Sequence, residues 1–219
     1  MIDIEKNNRG NGIFITFEGI DGCGKTTQSR YLSDYLRGKN IKFIMTREPG
    51  GTRVAEKIRE ILLNRDNIEI TGRTELLLYL ASRAQHTDEV IIPALKSGVW
   101  VISDRYSDSS VAYQGAGRGL GVESVRNMTL FATDGMEPDL TFFIDISPET
   151  AYVRMKKQGK VFDRLESETE NFMNEVRKGY YWIMENCRNR FFRIDGEKSP
   201  EKVWKDIKSI LMEKIPELK

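Results

Sequence analysis

A phosphate-binding pattern lies near the N-terminus, where residues 19–26 read GIDGCGKT and match G-x-x-x-x-G-K-[ST]. Glycines in such a loop let backbone N–H groups converge on phosphate oxygens, and the following helix adds the positive end of its dipole. Lys25 would supply a cation to the β- and γ-phosphates, and the Thr26 hydroxyl would bind Mg²⁺. The pattern predicts binding of a nucleoside triphosphate, in a kinase, a GTPase or a motor ATPase alike. The residues expected to hold its phosphates are Gly19, Ile20, Asp21, Gly22, Cys23, Gly24, Lys25, Thr26 and Thr27.

Four arginines are candidates for holding a second set of phosphates: Arg47, Arg59, Arg83 and Arg105. An enzyme that moves a phosphoryl group between two nucleotides must hold two anionic groups against their mutual repulsion. Arginine suits this task because its planar guanidinium makes two-pronged contacts with phosphate. Arg47 and Arg105 also follow predicted strands, which favours a functional role over a solvated surface position for these two.

Asp104 ends an apolar predicted strand directly before Arg105. It could hold Mg²⁺ through water, as a Walker-B acid does, or it could orient Arg105. The alternative is a plain turn residue at the end of a strand. The phosphate-binding loop makes either functional role a better interpretation than a plain turn residue.

Cys23 lies among the amides of the phosphate-binding loop. The favoured interpretation is a small residue that fills space. The sharper hypothesis is a reactive thiol whose pKa is lowered by the adjacent helix N-terminus.

Strands and helices alternate along the chain around these motifs. Runs rich in β-branched and aromatic residues predict strands at 13–18, 41–46, 99–103, 140–146 and 191–194. Helical periodicity covers 26–37, 54–62, 74–96 with a kink or boundary at Pro93, 122–133, a segment from Pro148, 172–186 and a segment from Pro200. The glycines at 115, 117, 119 and 121 predict a loop.

This alternation predicts an α/β fold of the P-loop NTPase type, with a five-stranded parallel sheet covered by helices on both faces. Ligands of such sheets bind beyond the carboxyl ends of the strands. Residues 19–26, 47–52 and 104–106 all follow predicted strands, so we expect them to meet at one edge.

Composition limits the function classes. The 34 Lys and Arg against 33 Asp and Glu give a net charge of +1, which lacks the basic excess of a non-specific nucleic-acid binder. The apolar runs are too short to span a bilayer, and residues 1–12 contain no apolar secretory region. Two cysteines and one histidine offer no disulfide framework and few zinc ligands. We expect a single cytoplasmic domain over residues 1–219, with a flexible stretch at 1–11 and neither nucleic-acid nor membrane partners.

Taken together, the motifs resemble the thymidylate kinase family, whose members phosphorylate dTMP with ATP in dTTP biosynthesis. The resemblance covers nearly the whole chain in order. Its matching stretches are 17–28 (FEGIDGCGKTTQ), 46–52 (TREPGGT), 79–83 (YLASR), 104–115 (DRYSDSSVAYQG), 138–141 (PDLT) and 163–164 (DR). It implies a Mg²⁺-dependent transfer of the ATP γ-phosphate to dTMP by a homodimer.

The resemblance also implies roles for individual residues. Asp21 would contact the deoxyribose 3′-hydroxyl, Tyr79 would stack on the thymine ring, and Tyr113 would crowd the ribose 2′ position. The monophosphate would be held by Arg59, Arg83 and Arg105, with Glu48 ordering the site. Ser110 and Gln114 would read the edge of the base.

Residues 156–165 resemble the lid that closes over ATP in this family, which would exclude water from the reaction. Gly22 stands where one family type carries a P-loop arginine, so the chain resembles the bacterial type with basic residues in the lid. Lys156, Lys157 and Lys160 replace arginines common there, which leaves Arg164 as the candidate for a catalytic lid contact alongside Lys25, Asp104 and Arg105.

Two alternatives remain at this point. One is a kinase of neighbouring specificity, acting on another nucleoside monophosphate or on a deoxynucleoside. The other is a P-loop ATPase switch protein without small-molecule transfer, for which the sequence lacks the Asn-Lys-x-Asp base-reading motif of GTPases and offers no use for Arg83 and Gln114.

Overall fold

A five-stranded parallel sheet forms the centre of the fold, as predicted. The computed structural model describes residues 11–157, 163–165 and 168–218. The strands are β1 (Phe14–Glu18), β2 (Phe43–Arg47), β3 (Trp100–Asp104), β4 (Leu140–Asp145) and β5 (Phe191–Asp195). Their order across the sheet is β2-β3-β1-β4-β5, and every neighbouring pair is parallel. Every residue of β1 and β4 is buried, because helices cover both faces of these central strands.

The described helices fill the crossovers between the strands. They are α1 (Lys25–Gly38), α2 (Arg53–Leu63), α3 (Gly72–His86), α4 (Ile92–Lys96), α5 (Ser107–Ser110), α6 (Val122–Ala132), α7 (Pro148–Lys157), α8 (Glu170–Asn186) and α9 (Pro200–Lys214). Side chains of Thr52, Thr71 and Thr169 cap α2, α3 and α8 by accepting a backbone N–H. The predicted starts at Pro148 and Pro200 are confirmed.

The long helical pattern at 74–96 is interrupted by a π-helical segment, Thr87–Ile91, between α3 and α4. The predicted boundary at Pro93 is confirmed, since Pro93 lies in the first turn of α4, where its missing N–H costs no hydrogen bond.

The predicted loop is wrong for Gly115 and Gly117, which belong to a second π-helical segment, Val111–Gly117. The physical reason is close packing against α8. A Cβ on Gly117 would lie 2.8 Å from the ring of Phe172, and one on Gly179 would lie 2.7 Å from the Cα of Ala112. The glycines therefore allow two helical backbones to approach closely instead of making a turn.

The apolar face predicted on α2 is only partly covered. Leu62 is buried, whereas Val54 is 40% and Ile61 is 46% exposed. By contrast, the periodic apolar residues Val203, Ile207 and Leu211 of α9 are buried, and Ile210 is partly buried.

The predicted lid is described only at its ends. Lys156 and Lys157 end α7, and residues 163–165 follow, whereas Lys160 lies outside the described residues. The predicted flexible stretch, 1–11, also lies outside them except for Asn11. No helix in the described ranges is long and apolar enough to cross a membrane.

Candidate active site

The strand ends meet at a cleft of about 360 Å³. Most of the residues predicted from the sequence line it: Asp21, Gly22, Gly24, Lys25, Thr26, Thr27, Arg47, Glu48, Arg59, Tyr79, Asp104, Arg105, Ser110, Tyr113 and Gln114. Pro49, Leu63, Ser109, Asp163 and Leu165 complete the lining. Gly19, Ile20, Cys23, Arg83 and Arg164 are not among the lining residues.

The phosphate-binding loop joins β1 to α1. The side chain of Lys25, at its end, points back toward the first residues of the loop. Gly24 has a φ of 105°, a conformation that favours glycine, and it precedes the first turn of α1. Lys25 Nζ donates to the carbonyl oxygens of Gly19 and Ile20 at 3.1 and 3.2 Å. Burial and the charge of Arg105 lower the pKa of Lys25, but Cys23, Asp21 and Asp104 outweigh them, so its pKa is raised. The loop therefore presents a buried cation where a polyphosphate would lie.

Thr26 and Asp104 form a pair of oxygen donors at the mouth of the loop. Thr26 Oγ1 donates to Asp104 Oδ2 at 3.0 Å. A hydroxyl and a carboxylate are hard oxygen ligands of the kind that Mg²⁺ prefers, and Mg²⁺ commonly keeps several waters beside one or two protein ligands. The two side chains therefore fit the predicted Mg²⁺ position.

Arg105 occupies the centre of the cleft, and its backbone has a φ of 73°, which is unusual for a residue with a side chain. Its Nη2 donates to Asp21 Oδ1 at 2.8 Å and to the Tyr113 hydroxyl at 3.2 Å. Burial lowers the pKa of Arg105, but the Asp21 carboxylate and neighbouring groups raise it well above its usual value. Asp21 Oδ1 also lies 3.5 Å from Lys25 Nζ, so one carboxylate oxygen joins the two cations of the cleft.

Glu18 supports Arg105 from beneath the cleft. Glu18 accepts hydrogen bonds from the Tyr106 backbone N–H, the Ser109 hydroxyl and the Tyr180 hydroxyl, at 2.7, 2.6 and 2.9 Å. Ser109 in turn accepts from Arg105 Nη1 at 3.1 Å. Burial, with the charge of Asp108, raises the pKa of Glu18 to about 7.

Arg83 is not among the residues that line the cleft, and its guanidinium is bonded to protein groups. It is 1% exposed, and its donors reach Glu48 Oε2 at 2.7 Å, Ser110 Oγ at 2.9 Å and the Tyr106 carbonyl at 3.0 Å. In this structure Arg83 therefore orders Glu48 and Ser110, and its predicted contact with a monophosphate stays a prediction.

Arg59 and Arg47 lie on the opposite wall of the cleft. Arg59 Nη1 donates to the Pro49 carbonyl at 2.7 Å, and burial together with Arg47 lowers the pKa of Arg59. Arg47 is exposed and pairs with Glu56 at 3.0 Å. Arg59 is therefore tied to the loop after β2, and Arg47 is tied to α2.

A buried carboxylate underlies the side of the cleft that carries Tyr79 and Gln114. Glu75, one helical turn before Tyr79, accepts from Gln114 Nε2 at 2.9 Å. It also pairs with Arg118 at 3.0 Å and with Arg164 at 2.7 Å. Burial opposes the charge of Glu75, but hydrogen bonds from these three residues outweigh it and lower the pKa.

Arg164 is thus held away from the phosphate-binding loop. Besides Glu75, its Nε donates to the Leu62 carbonyl at 3.0 Å. The structure places the predicted lid arginine against α2 and α3, where it anchors residues 163–165, and not beside Lys25.

The structure favours the space-filling interpretation of Cys23. Its side chain is buried, and burial raises the pKa of the thiol despite the positive charges of Lys25 and Arg105. The hypothesis of a lowered thiol pKa is wrong because the side chain lies in the protein interior.

Sequence reasoning missed several residues that shape the cleft: Glu18, Glu75, His86, Ser109, Arg118 and Tyr180. For two of these residues, the sequence contains a feature that could have pointed to a role in the cleft. Glu18 is a carboxylate at the end of an otherwise apolar strand, and Ser109 lies four residues after Arg105. The partners of the others lie far away in the sequence, so spacing alone does not reveal them.

Comparison with known proteins gives a consistent family assignment. The family profile described as thymidylate kinase matches residues 17–207. A thymidylate kinase from Carboxydothermus hydrogenoformans is 50% identical over 200 residues, which cover 91% of this chain and 97% of the relative. A thymidylate kinase from Thermosipho africanus is 52% identical over 199 residues, with the same two coverages. The crystal structure of thymidylate kinase from Ehrlichia chaffeensis matches with a TM-score of 0.74 at 33% identity, covering 92% of this chain and 99% of that chain.

Proposed function

The chain belongs to the thymidylate kinase family, and from this premise we propose that its cleft transfers the γ-phosphate of ATP to dTMP, giving ADP and dTDP. The observation that carries the proposal is the shared contact of Asp21 Oδ1, which lies 3.5 Å from Lys25 Nζ and 2.8 Å from Arg105 Nη2. Two cations that line the cleft thus meet at one carboxylate oxygen. This arrangement suits two anionic groups that must face each other.

The donor half consists of the phosphate-binding loop and the start of α1. Backbone N–H groups of residues 19–27 and Lys25 Nζ would bind the polyphosphate of ATP. The pair of Thr26 and Asp104 would hold Mg²⁺, Asp104 through water. Bound there, Mg²⁺ supplies positive charge that neutralises the phosphate oxygens of the donor.

The acceptor half lies beyond Arg105. Arg105 and Arg59 would hold the dTMP phosphate. The Asp21 carboxylate would accept a hydrogen bond from the 3′-hydroxyl of the sugar. Tyr79 would stack on the base, and the buried Tyr113 would leave no room for a ribose 2′-hydroxyl.

Glu48, Ser110 and Gln114 complete the acceptor half. The Gln114 amide and the Ser110 hydroxyl would meet the edge of the base. Arg83 contributes indirectly, because it fixes Ser110 and the Glu48 carboxylate in place.

Transfer then depends on positioning and on fixed positive charge. The attacking oxygen belongs to a phosphate that is already ionised, so the reaction requires no strong general base. Lys25 and Arg105 are held by buried hydrogen bonds before substrates bind, so little reorganisation is needed as charge spreads over the transferred group.

We also propose a homodimer, supported by an apolar surface outside the cleft. Exposed apolar side chains lie on three neighbouring helices: Val54 and Ile61 on α2, Leu77 on α3, and Met128 and Phe131 on α6. Helix α3 packs against both α2 and α6, so the three helices form one surface. Apolar patches of this kind are typical of protein–protein interfaces.

A cytoplasmic location and a single domain over residues 1–219 complete the proposal. The thiols of Cys23 and Cys187 are free, which fits a reducing compartment.

The proposed reaction is tested by measuring ADP release from ATP with dTMP, dUMP, dGMP and thymidine as acceptors, with and without Mg²⁺. We expect the highest kcat/KM with dTMP and loss of turnover on chelation of Mg²⁺. Preference for another monophosphate or for thymidine would reassign the acceptor. ATP hydrolysis that dTMP leaves unchanged would instead favour an ATPase switch.

A further inference from the structure

The only histidine of the chain, His86, is buried at the end of α3 and contacts the loop that follows β2. Its Nδ1 lies 3.0 Å from Glu48 Oε1, and its Nε2 lies 2.6 Å from Thr46 Oγ1. A Cβ on Gly51 would be 2.7 Å from Nε2, so the loop backbone presses directly on the ring. Contacts on three sides therefore fix the orientation of the imidazole.

These contacts define the ring nitrogen that donates to Glu48. Glu48 accepts from Arg83 at its other oxygen, Oε2, at 2.7 Å, as a carboxylate paired with a guanidinium does. Because such a carboxylate only accepts hydrogen bonds, Nδ1 must be the donor toward Oε1. The Thr46 hydroxyl can donate, so it satisfies an unprotonated Nε2.

The chain of contacts ends in the acceptor half of the cleft. Glu48 itself lines the cleft, and its partner Arg83 holds Ser110, which also lines it. Arg83 also holds the carbonyl of Tyr106, the residue after Arg105. A rotation of the Glu48 carboxylate would therefore act first on Arg83 and Ser110, on the acceptor side of the cleft.

We propose that His86 is a positioning residue for the acceptor nucleotide: its Nδ1–H holds the Glu48 carboxylate in the orientation that fixes Arg83 and Ser110. The inference rests on the proposed function, since it assigns the affected half of the cleft to dTMP. His86 touches neither nucleotide and acts through Glu48.

Two variants separate this role from simple packing. In His86→Asn the amide nitrogen takes nearly the place of Nδ1 and still donates to Glu48. In His86→Gln the amide nitrogen takes nearly the place of Nε2, so Thr46 keeps a partner and Glu48 Oε1 loses its His86 donor. Both changes remove the ring, so their effects on thermal unfolding should be similar.

We expect His86→Gln to raise the KM for dTMP roughly tenfold, the effect of losing one buried charge-assisted hydrogen bond, with the KM for ATP unchanged. His86→Asn should stay within roughly threefold of the unaltered protein for both substrates, because the bond to Glu48 is kept. Equal dTMP KM values in the two variants, or equal changes for ATP and dTMP, would overturn the proposal.

The protonation of the ring is tested separately by ¹⁵N NMR, in which a single histidine gives unambiguous signals. We expect a proton on Nδ1 in the unaltered protein and also in Thr46→Val, in which His86 and Glu48 are unchanged. A proton on Nε2 instead of Nδ1 would reject the contact with Glu48 even if the Gln variant failed to fold. Absence of dTMP turnover in the unaltered protein would reject the proposed function, and the NMR result would still decide the hydrogen bond.

Discussion

At the scale of single residues, the cleft is organised by carboxylates that each hold more than one cation or donor. Asp21 joins Lys25 to Arg105, and Glu48 joins Arg83 to His86. Buried charges are tolerated when they are paired and hydrogen-bonded, and such pairs hold their members in one geometry. The cations that serve phosphate chemistry are therefore placed before a substrate arrives.

Lys25→Ala tests the donor half. Removing a preorganised cation should raise the barrier of transfer by roughly 2–4 kcal/mol, seen as a fall in kcat at saturating ATP and dTMP. Thermal unfolding should show that the variant still folds. Lys42→Ala changes an exposed lysine and serves as the control, with no change in kcat expected. A near-normal kcat for Lys25→Ala would refute the role of Lys25.

Glu18→Gln tests whether the pKa of the buried Glu18 carboxyl, beneath Arg105, is raised. Burial, with Asp108, raises the pKa of Glu18 from 4.5 to about 7, so between these values the folded protein binds a proton that the unfolded chain releases. The free energy of unfolding contributed by Glu18 must therefore fall as pH rises through this window. We expect the unaltered protein to lose roughly 2–3 kcal/mol relative to Glu18→Gln between about pH 5 and pH 8.

Urea denaturation across that pH range measures the difference. Glu60→Gln, which changes an exposed carboxylate, is the matched control and should show no such trend relative to the unaltered protein. A pH-independent difference between the unaltered protein and Glu18→Gln would mean that Glu18 ionises normally.

At the scale of elements, α3 places Glu75, Tyr79, Arg83 and His86 along one side. Residues three and four apart lie on the same face of a helix, so one element contacts Gln114, the loop after β2 and residues 163–165 together. The pairing of Glu75 with both Arg118 and Arg164 joins α3 to segments far away in the sequence.

A double-mutant cycle tests this connection. Removing one partner of a buried ion pair leaves an uncompensated charge, so Glu75→Gln should lower the free energy of unfolding by roughly 3–5 kcal/mol. Combination with Arg164→Met should show a coupling energy of roughly 0.5–3 kcal/mol in urea denaturation. The exposed pair Glu175–Lys178 is the control, since Glu175→Gln should cost less than about 1 kcal/mol. Additive effects of the Glu75 and Arg164 changes would show that the pair does not contribute.

The elements also show how far the sequence predicts the molecule. All five strands and the phosphate-binding loop were predicted because they depend on local patterns, and so were the starts of helices that Pro148 and Pro200 mark. The π-helical segments were not, because a single wider turn changes the hydrogen bonding without changing apolar periodicity much. Networks such as Glu18 with Tyr180, which are 162 residues apart, depend on tertiary packing that no spacing rule encodes.

At the scale of the whole molecule, the cleft and the apolar surface lie on opposite sides of the same helices. Arg59 and Leu63 of α2 line the cleft, whereas Ile61, two residues from each, is exposed. Likewise Tyr79 of α3 lines the cleft and Leu77 is 57% exposed. Residues two positions apart on a helix are separated by about 200°, so one face of each helix lines the cleft and the other is exposed.

Phe131→Glu tests whether that surface forms the dimer. Phe131 is 91% exposed on α6, and a carboxylate there would have to be desolvated in an apolar interface. Light scattering should give twice the mass of the 25.2 kDa chain for the unaltered protein and a single chain for the variant. Tyr152→Glu, at an exposed aromatic on α7, should remain a dimer. A dimeric Phe131→Glu protein would place the interface elsewhere.

Dissociation of the dimer should also change the KM values for dTMP and ATP unequally. Helices α2 and α3 carry the acceptor residues Arg59 and Tyr79 and would lose the support of the partner subunit. The donor loop is attached to β1, every residue of which is buried, and to α1, which is buried along one face. We therefore expect the KM for dTMP to rise in Phe131→Glu by roughly tenfold, as for a loss of about 1.4 kcal/mol, while the KM for ATP stays the same. Equal increases in both values would show that the interface supports the whole fold and not the acceptor half in particular.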